Sequence, residues 1–451
     1  MLLQAPFDIA IKIFDLLSPK DLAALSQTSK TYHSIVQKYG WKHYYKEQNW
    51  NLLKNPQDTK DDDNEQDWQA KVAFGVTTHK NWARKEFSTT IISSQRQSYL
   101  PTLSFDHEKL VCSVGNTLDI FDFAQSSNRR KKNGQPQKIN KLKSFIAHHL
   151  DITDIALCSD YNELFTCSMD HTIKRWFLDQ SITSQIPLAQ VYYGHDAPVH
   201  STFQFPYDSS TLFSVSFDGK LCVWNTDTAE MCYSTQVPGI PRAMRGLSNG
   251  LIGVGNKSTE HLTLYKVTPN ELVRVTSVKG HKSTVYALKS TDLFPHTFLS
   301  GCYDSISRLY DLRNNSCVAS FKDPFDTNPV FSVDYDRYRV ASGSSMHGLI
   351  RLWDMRYYKS SNDYSGTLKK GAVRDGWSIF LGKSQNSPVY SLQMSHSRLV
   401  AALANQTWML DFGDGGSGLS STDSPHSNFH RSRYRSSGER RSYNGGVNAP
   451  L

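Results

Sequence analysis

A mainly β chain is the fold class this sequence predicts: a seven-bladed β-propeller preceded by a small α-helical module and a helical linker. Three observations carry that expectation. Short alternating segments recur along the chain: LDIFDF (118–123), IKRWFL (173–178), LCVWNT (221–226), LTLYKV (262–267), SRLYDL (307–312), IRLWDM (350–355) and TWMLDF (407–412). Their aligned residues Phe121, Trp176, Trp224, Tyr265, Tyr310, Trp353 and Leu410 mostly keep the roughly 40–45-residue spacing of four-stranded blades. Gly194-His195 and Gly280-His281 precede two of these segments, and Asp218 and Asp304 follow those histidines by one common interval. Near the amino terminus, the apolar period becomes that of helices instead.

Taken in chain order, Ile9, Ile13 and Leu17 share one face of a first helix, with Phe14 and Leu16 beside it. Ser18-Pro19-Lys20-Asp21 reads as a helix start: serine caps, proline takes the first helical position, and aspartate completes a capping box. Leu22 and Leu25 give the second helix its apolar face. Tyr32, Ile35, Val36 and Tyr39 outline a third, followed by Trp41. A unit of about 40 residues lies near the lower size limit for independent folding. It has little room for all the large apolar side chains between 7 and 25, so some of them are expected to face a partner.

The expected organisation is 1–46 helical module, 47–86 linker, 87–412 propeller and 413–451 tail. KDDDNEQD (60–67) reads as an acidic, disorder-prone hinge. Trp68, Val72 and Phe74 mark a helical stretch, and Trp82 of HKNWARKEF (79–87) is expected to anchor against the first or last blade. FSTTIISS (87–94) lacks a nearby partner and should pair with 407–412, closing the ring and removing its edges. The stretches near 124–140 and 357–376 widen the first and last intervals and read as surface insertions. The Gly/Ser-rich tail, ending in HRSRYRSSGERRS and a few further residues, is low-complexity and expected to be disordered.

Composition excludes several classes. No run of about 18 apolar residues occurs, and none is expected to span a membrane. The apolar start carries Asp8, Lys12 and Asp15 without a basic leader, which argues against a signal peptide. Seven single cysteines without a CxxC suggest a reducing compartment, cytoplasmic and/or nuclear. The net charge of +8 is concentrated in 127–143, where Arg129, Arg130, Lys131, Lys132, Lys138, Lys141 and Lys143 meet no acid. The rest of the chain is nearly balanced, so nucleic acid is a disfavoured partner. RRKK (129–132) has two readings, a nuclear-import signal or a solvated insertion. No metal cluster, catalytic cysteine context or Gly-rich phosphate loop appears, so no catalytic residue and no cofactor are expected.

The repeats resemble the WD-repeat family. That resemblance implies a buried network of histidine, hydroxyl, aspartate and tryptophan in each well-matched blade. Here the sets are His148, Thr166, Asp170 and Trp176; His195, Ser214, Asp218 and Trp224; and His281, Ser300, Asp304 and Tyr310, with a phenol for the indole. A Ser-His-Asp triad is the competing reading, but the same constellation at blade period marks structure rather than a nucleophile. The unit around 236–267 lacks the network, and that around 328–354 has Met346 near the aspartate position. The resemblance further implies partner contacts on one face through His149, Asp151, Met169, Asp196, Pro198, Phe217, Lys282, Thr284 and Tyr303. None is an arginine, although Arg242 and Arg245 could reach that face.

APFDIAIKIFDLLSPKDLAALSQTSKTYHSIV resembles the F-box, through Pro6, Ile13-Phe14, Leu17 and Pro19-Lys20-Asp21-Leu22. This resemblance to the F-box/WD repeat family implies binding of a Skp-type adaptor, and through it a cullin, by Pro6, Ile9, Ile13, Phe14, Leu17 and Leu22. It implies a non-catalytic substrate receptor of an SCF-type ubiquitin ligase, whose propeller binds an unknown protein. The alternative is a scaffold engaging RNA or chromatin through its basic loop and tail.

Overall fold

The computed structural model describes residues 12–47 except 15, 67–123 except 96 and 107, 139–178 except 159–161, 188–357 except 248, 249, 259, 260, 292, 324 and 325, and 376–413 except 382–386. Pro6, Ile9, the acidic hinge up to 66, the RRKK segment and the tail beyond 413 lie outside the described residues.

Helices Pro19–Thr28, Lys30–Ile35 and Trp41–Glu47 form the amino-terminal module, joined by a π-helical turn at Val36–Gly40. The Ser18 side chain accepts from the Asp21 amide, and the Asp21 carboxylate accepts from the Ser18 amide, which is the capping box the sequence predicts. The third helix therefore does not end at Tyr39; the π turn carries it into the next. The module also does not close on itself. Its core of Phe14, Leu22, Val36 and Trp41 is completed by Val72 from the linker helix Trp68–Arg84, with Trp68 packed against it.

Seven four-stranded antiparallel sheets follow. Blades 1 to 6 are built from 103–146, 152–192, 199–236, 240–277, 285–322 and 330–380, and blade 7 combines 389–411 with the strand Ser88–Ser94. Ser88 pairs with Asp411 and Ser94 with Gln406, so the first strand closes the ring. Second strands are sealed along their length, as in Glu163–Ser168 and Arg398–Leu403. Outer strands such as Lys141–Ile146 and Met231–Gln236 alternate between covered and solvent-facing positions. The core lies between blades. Phe213 and Val223 of blade 3 pack with Met244 and Ile252 of blade 4, and Leu110 and Phe121 of blade 1 pack with Val400 and Met409 of blade 7.

Polar ties join the innermost strands of neighbouring blades. Asp154 Oδ2 accepts from Ser201 Oγ at 2.7 Å and from the Thr202 amide at 3.2 Å. Gln393 exchanges two 2.9 Å bonds with the Phe105 backbone across the closure. A buried polar group is tolerated only with such partners.

In each blade the chain descends the innermost strand, returns along the second and descends the third. The Gly-His segments and the second-to-third turns thus share one rim. The first-to-second turns and third-strand ends share the other, and the linker helix docks there. Asn81 Nδ2 donates to the Phe412 carbonyl at 2.7 Å, Trp82 Nε1 donates to the His396 carbonyl at 3.0 Å, and the Trp82 ring stacks on Phe412. The Arg339 guanidinium lies 4.0 Å from the centroid of the Trp82 ring. Of the two anchor points the sequence left open, the last blade holds the tryptophan.

Candidate functional site

Two surfaces concern function: the helical module, and the Gly-His rim at the far side of the propeller. The rim is held by the networks beneath it. In blade 2, His148 Nδ1 is 3.0 Å from Asp170 Oδ2 and its Nε2 is 2.8 Å from Thr166 Oγ1, to which Trp176 Nε1 donates at 3.0 Å. A carboxylate can only accept, so Nδ1 carries the proton. The hydroxyl then donates to Nε2 and accepts the indole N–H, giving one directed chain. Burial pushes His148 down despite Asp170. Burial alone would push Asp170 up, but hydrogen bonds from His148 and Thr172 hold it well below the usual carboxylate range. Blade 3 repeats the geometry, with His195 at 2.9 Å from Asp218 and 2.7 Å from Ser214, and Trp224 Nε1 donating to Ser214 at 2.7 Å.

Blade 5 departs from the expected set. His281 Nε2 keeps Ser300 at 2.8 Å, but Asp304 turns to Arg308, which reaches it at 3.1 and 2.7 Å. Tyr310 does not replace the indole donor: its hydroxyl donates to the Lys279 carbonyl at 3.1 Å and lies 3.4 Å from His281 Nδ1. A strand arginine beside the aspartate outcompetes a neutral imidazole, and the phenol oxygen projects past Ser300. Burial and the Arg308 guanidinium push His281 down to about 3. In blade 6 the network is gone: Trp353 Nε1 is buried without a hydrogen-bond partner, beside a cavity of about 20 Å³.

Of the nine rim residues taken from the family pattern, His149, Asp151, Asp196, Lys282 and Tyr303 are exposed, Tyr303 at 52%. Met169, Pro198 and Phe217 are half-buried. Thr284 is a correction: it is 7% exposed, tucked beneath its loop, and its carbonyl accepts from the Tyr303 amide at 2.8 Å. Asp196 is tied to Lys220 at 2.7 Å.

Apart from Arg242, which the sequence placed within reach of this face, sequence reasoning missed a second set on this rim. Six innermost strands carry a bulge near their start, where the pairing register skips one residue. The skipped residues are Thr153, His200, Arg242, Tyr286, Phe331 and Tyr390. A bulge re-aims its side chain, and here adjacent blades bring Tyr286 to Phe331 at 5.2 Å and Phe331 to Tyr390 at 6.0 Å between ring centroids. Arg242 sits over Phe217 at 4.6 Å, and Phe217 stacks on His200. A fixed offset past the Gly-His histidine, from His195 to His200 and from His281 to Tyr286, was the available signal.

On the module, Phe14 and Leu22 are 2% and 0% exposed and belong to its own core. They are corrected as exposed adaptor contacts, because both side chains are packed inside the module's own core with Val36 and Trp41. Ile13 and Leu17 are half-buried, and Leu16 is 86% exposed.

An F-box-like module ahead of a seven-bladed WD-repeat propeller is the class of protein these features define. Residues 5–47 match the F-box-like family, and residues 139–176, 187–225 and 315–354 match the WD domain, G-beta repeat family. Among curated proteins, the chain is similar to F-box/WD repeat-containing protein 4 of Mus musculus, 32% identical over 120 residues, 26% of each chain. It is also similar to Ribosome biogenesis protein YTM1 of Phaeosphaeria nodorum, 24% identical over 244 residues, covering 46% of this chain and 49% of the relative. Ribosome biogenesis protein ytm1 of Pyrenophora tritici-repentis is 26% identical over 193 residues, 42% and 40% of the two chains. The matches span about half or less of the length of these relatives.

Proposed function

We propose that this chain is the non-catalytic substrate-recognition subunit of an SCF-type ubiquitin ligase, acting in the cytoplasm and/or nucleus. The module binds a Skp-type adaptor, and through it a cullin, and the Gly-His rim binds the protein to be ubiquitinated and degraded. One observation carries this reading. The linker helix supplies Val72 to the module core and Trp82 to the last blade, so two recognition surfaces are held apart by one rigid element. A ligase needs its substrate at a defined distance from the transferring enzyme. Exposed Leu16, flanked by Ile13 and Leu17, supports an apolar docking surface on the module.

Co-purification of the full chain with a Skp-type adaptor tests it. Ile13→Asp with Leu16→Asp should abolish capture while leaving the propeller folded; no capture by the wild type refutes the ligase reading. The similarity to ribosome biogenesis proteins favours a second reading, a propeller scaffold in ribosome assembly. Co-sedimentation with pre-ribosomal particles, in place of adaptor capture, supports that alternative.

A further inference from the structure

We propose that the joint between the linker helix and the propeller is an acid-sensitive latch. Protonation of His79 and His396 releases the helix from the ring and uncouples the module from the Gly-His rim. Such a latch works whatever the two surfaces bind, so it is independent of the ligase reading.

The hydrogen bonds at the joint require neutral histidine. An arginine can only donate. Arg356 Nη1 lies 2.9 Å from His79 Nε2, so that nitrogen accepts and the docked imidazole is uncharged. A proton on Nε2 removes the acceptor and sets an imidazolium against a guanidinium. His396 lies on the blade 7 turn that holds Trp82. Its carbonyl accepts from Trp82 Nε1 at 3.0 Å, and its ring Nε2 is sealed from solvent. The ring itself bonds to the Gly75 backbone, about two helical turns before Trp82. One residue thus grips the helix at two points, and displacing its ring loosens the tryptophan as well.

The acids at the joint are already matched. The charged groups facing the two rings are Arg339, Asp336, Arg356 and Asp354 of blade 6, together with the other histidine. Asp354 accepts from Arg356 Nε at 2.9 Å, and Asp336 accepts from Arg339 Nε at 2.7 Å. Arg337, over the Tyr338 ring, adds a further cation. The module brings the Tyr44 phenol toward Tyr338, and Lys80 and Arg84 of the helix are exposed. A protonated histidine here is therefore an excess cation among arginines. Burial pushes His79 down, aided by Arg356, and burial with Arg339 takes His396 from the ordinary 6.5 to about 4. Undocked, both rings return to solvent and bind protons more readily. Docking is fully present above about pH 6.5 and weakens as pH falls below it, by up to tenfold per pH unit for each histidine. The loss from His396 levels off near its docked value.

Hydrogen exchange of the full chain, corrected for the intrinsic pH dependence of amide chemistry, reads the latch at about pH 7.5 and about pH 5.5. Opening of 68–84 should rise at least about tenfold between them, the share of one buried histidine. His148, His200 and His281 are pushed down within the ring, so acid loads the blades too, and the rise must exceed that of the blade 3 strands. His79→Gln with His396→Gln keeps side chains that hydrogen-bond without titrating, and 68–84 should then follow blade 3 within about twofold. Each single glutamine variant should remove part of the rise, which keeps the comparison open if the double variant fails to fold. His79→Lys sets a permanent cation against Arg356 and should open 68–84 at about pH 7.5. Adding Arg356→Gln should close it again, because Asp354 then takes the lysine. Melting curves report whether the ring is intact in each variant. A flat response of 68–84 in the wild type, a rise matched by blade 3, or a rise that survives the glutamine substitutions overturns the proposal. Adaptor capture at about pH 7.5 is read separately, so failure of the latch and failure of the ligase reading are distinguishable.

Discussion

Trp82 is the residue whose loss should uncouple the two recognition surfaces. Its ring stacks on Phe412, its N–H is used by the His396 carbonyl, and Arg339 covers its other side. Trp82→Ala removes all three from a buried site, at a cost of about 3–5 kcal/mol for a tryptophan truncation. The cost falls on docking of the linker helix, since the ring itself is closed by Ser88–Ser94 pairing with Gln406–Asp411. Hydrogen exchange reads it directly. At about 1.4 kcal/mol per tenfold, amides in 68–84 should lose roughly a hundredfold or more in protection, while the blade 3 strands keep theirs. Trp82→Phe is the graded control. It keeps a stacked ring and loses the N–H, and the His396 carbonyl still has Arg339 at 3.3 Å, so the acceptor is not orphaned. That variant should cost only about 1 kcal/mol. Less than a tenfold loss over 68–84 in Trp82→Ala, or an equal loss in blade 3, refutes a rigid anchor.

Three further outcomes follow from the same geometry. Trp224→Phe and Trp353→Phe lose the same ring area, but only Trp224 gives up a hydrogen bond, so thermal unfolding should show Trp224→Phe as the costlier by about 1 kcal/mol; equal costs sink the comparison. Asp218 and Asp304 are held below the ordinary carboxylate value of 3.8 against burial, by His195 and by Arg308 respectively. Their contribution is fully present above about pH 3.8 and is lost as pH falls through the depressed folded values, so melting temperature should drop below that point and Asp218→Asn should blunt the drop. Brief alkylation read by mass spectrometry should label exposed Cys232 ahead of Cys222 and Cys302, whose thiols burial pushes up to about 12 and about 11; uniform labelling contradicts the burial.

The ring was legible because blades repeat a local code. Alternating strands, the Gly-His to Asp interval and an unpartnered strand at 87–94 each follow from short-range constraints, and together they leave a closed propeller with few competitors. What stayed hidden depends on tertiary neighbours. Nothing near Phe14 and Leu22 announces that Val72 completes their core, so side chains that looked available for a partner are spent internally. Tyr310 aligned with the tryptophans, but Arg308 two residues earlier decides where Asp304 points. The bulge residues carry no motif of their own; their common aim appears only once strand register is known.

The distribution of those bulge residues is itself informative. Blades 2 and 3, with complete networks, present Thr153 and His200 at the bulge, whereas blades 4, 6 and 7, which lack the His-Asp pair, present Arg242, Phe331 and Tyr390. Closure explains how the latter blades keep their shape. Each is packed between two neighbours, and blade 6 is further tied to blade 7 by Ser332 donating to the Val389 carbonyl at 2.9 Å and by the Met394 amide donating to Asp334 at 2.7 Å. A blade held from both sides can give up its own internal clamp, and its rim is then released from the sequence that the clamp demands. The residues with most to offer a ligand thus stand where the repeat is weakest, as expected when local rules are relaxed at functional positions and the structure compensates elsewhere. On this view, Asp326→His, five residues before Phe331 as His195 is before His200, combined with Met346→Asp rebuilds the clamp in blade 6, and it should stabilise the ring while weakening recognition at Phe331. Calorimetry paired with capture of partner proteins on the Gly-His rim, compared with Phe331→Ser, checks both halves, and a gain in stability with unchanged capture would break the link between degeneracy and function.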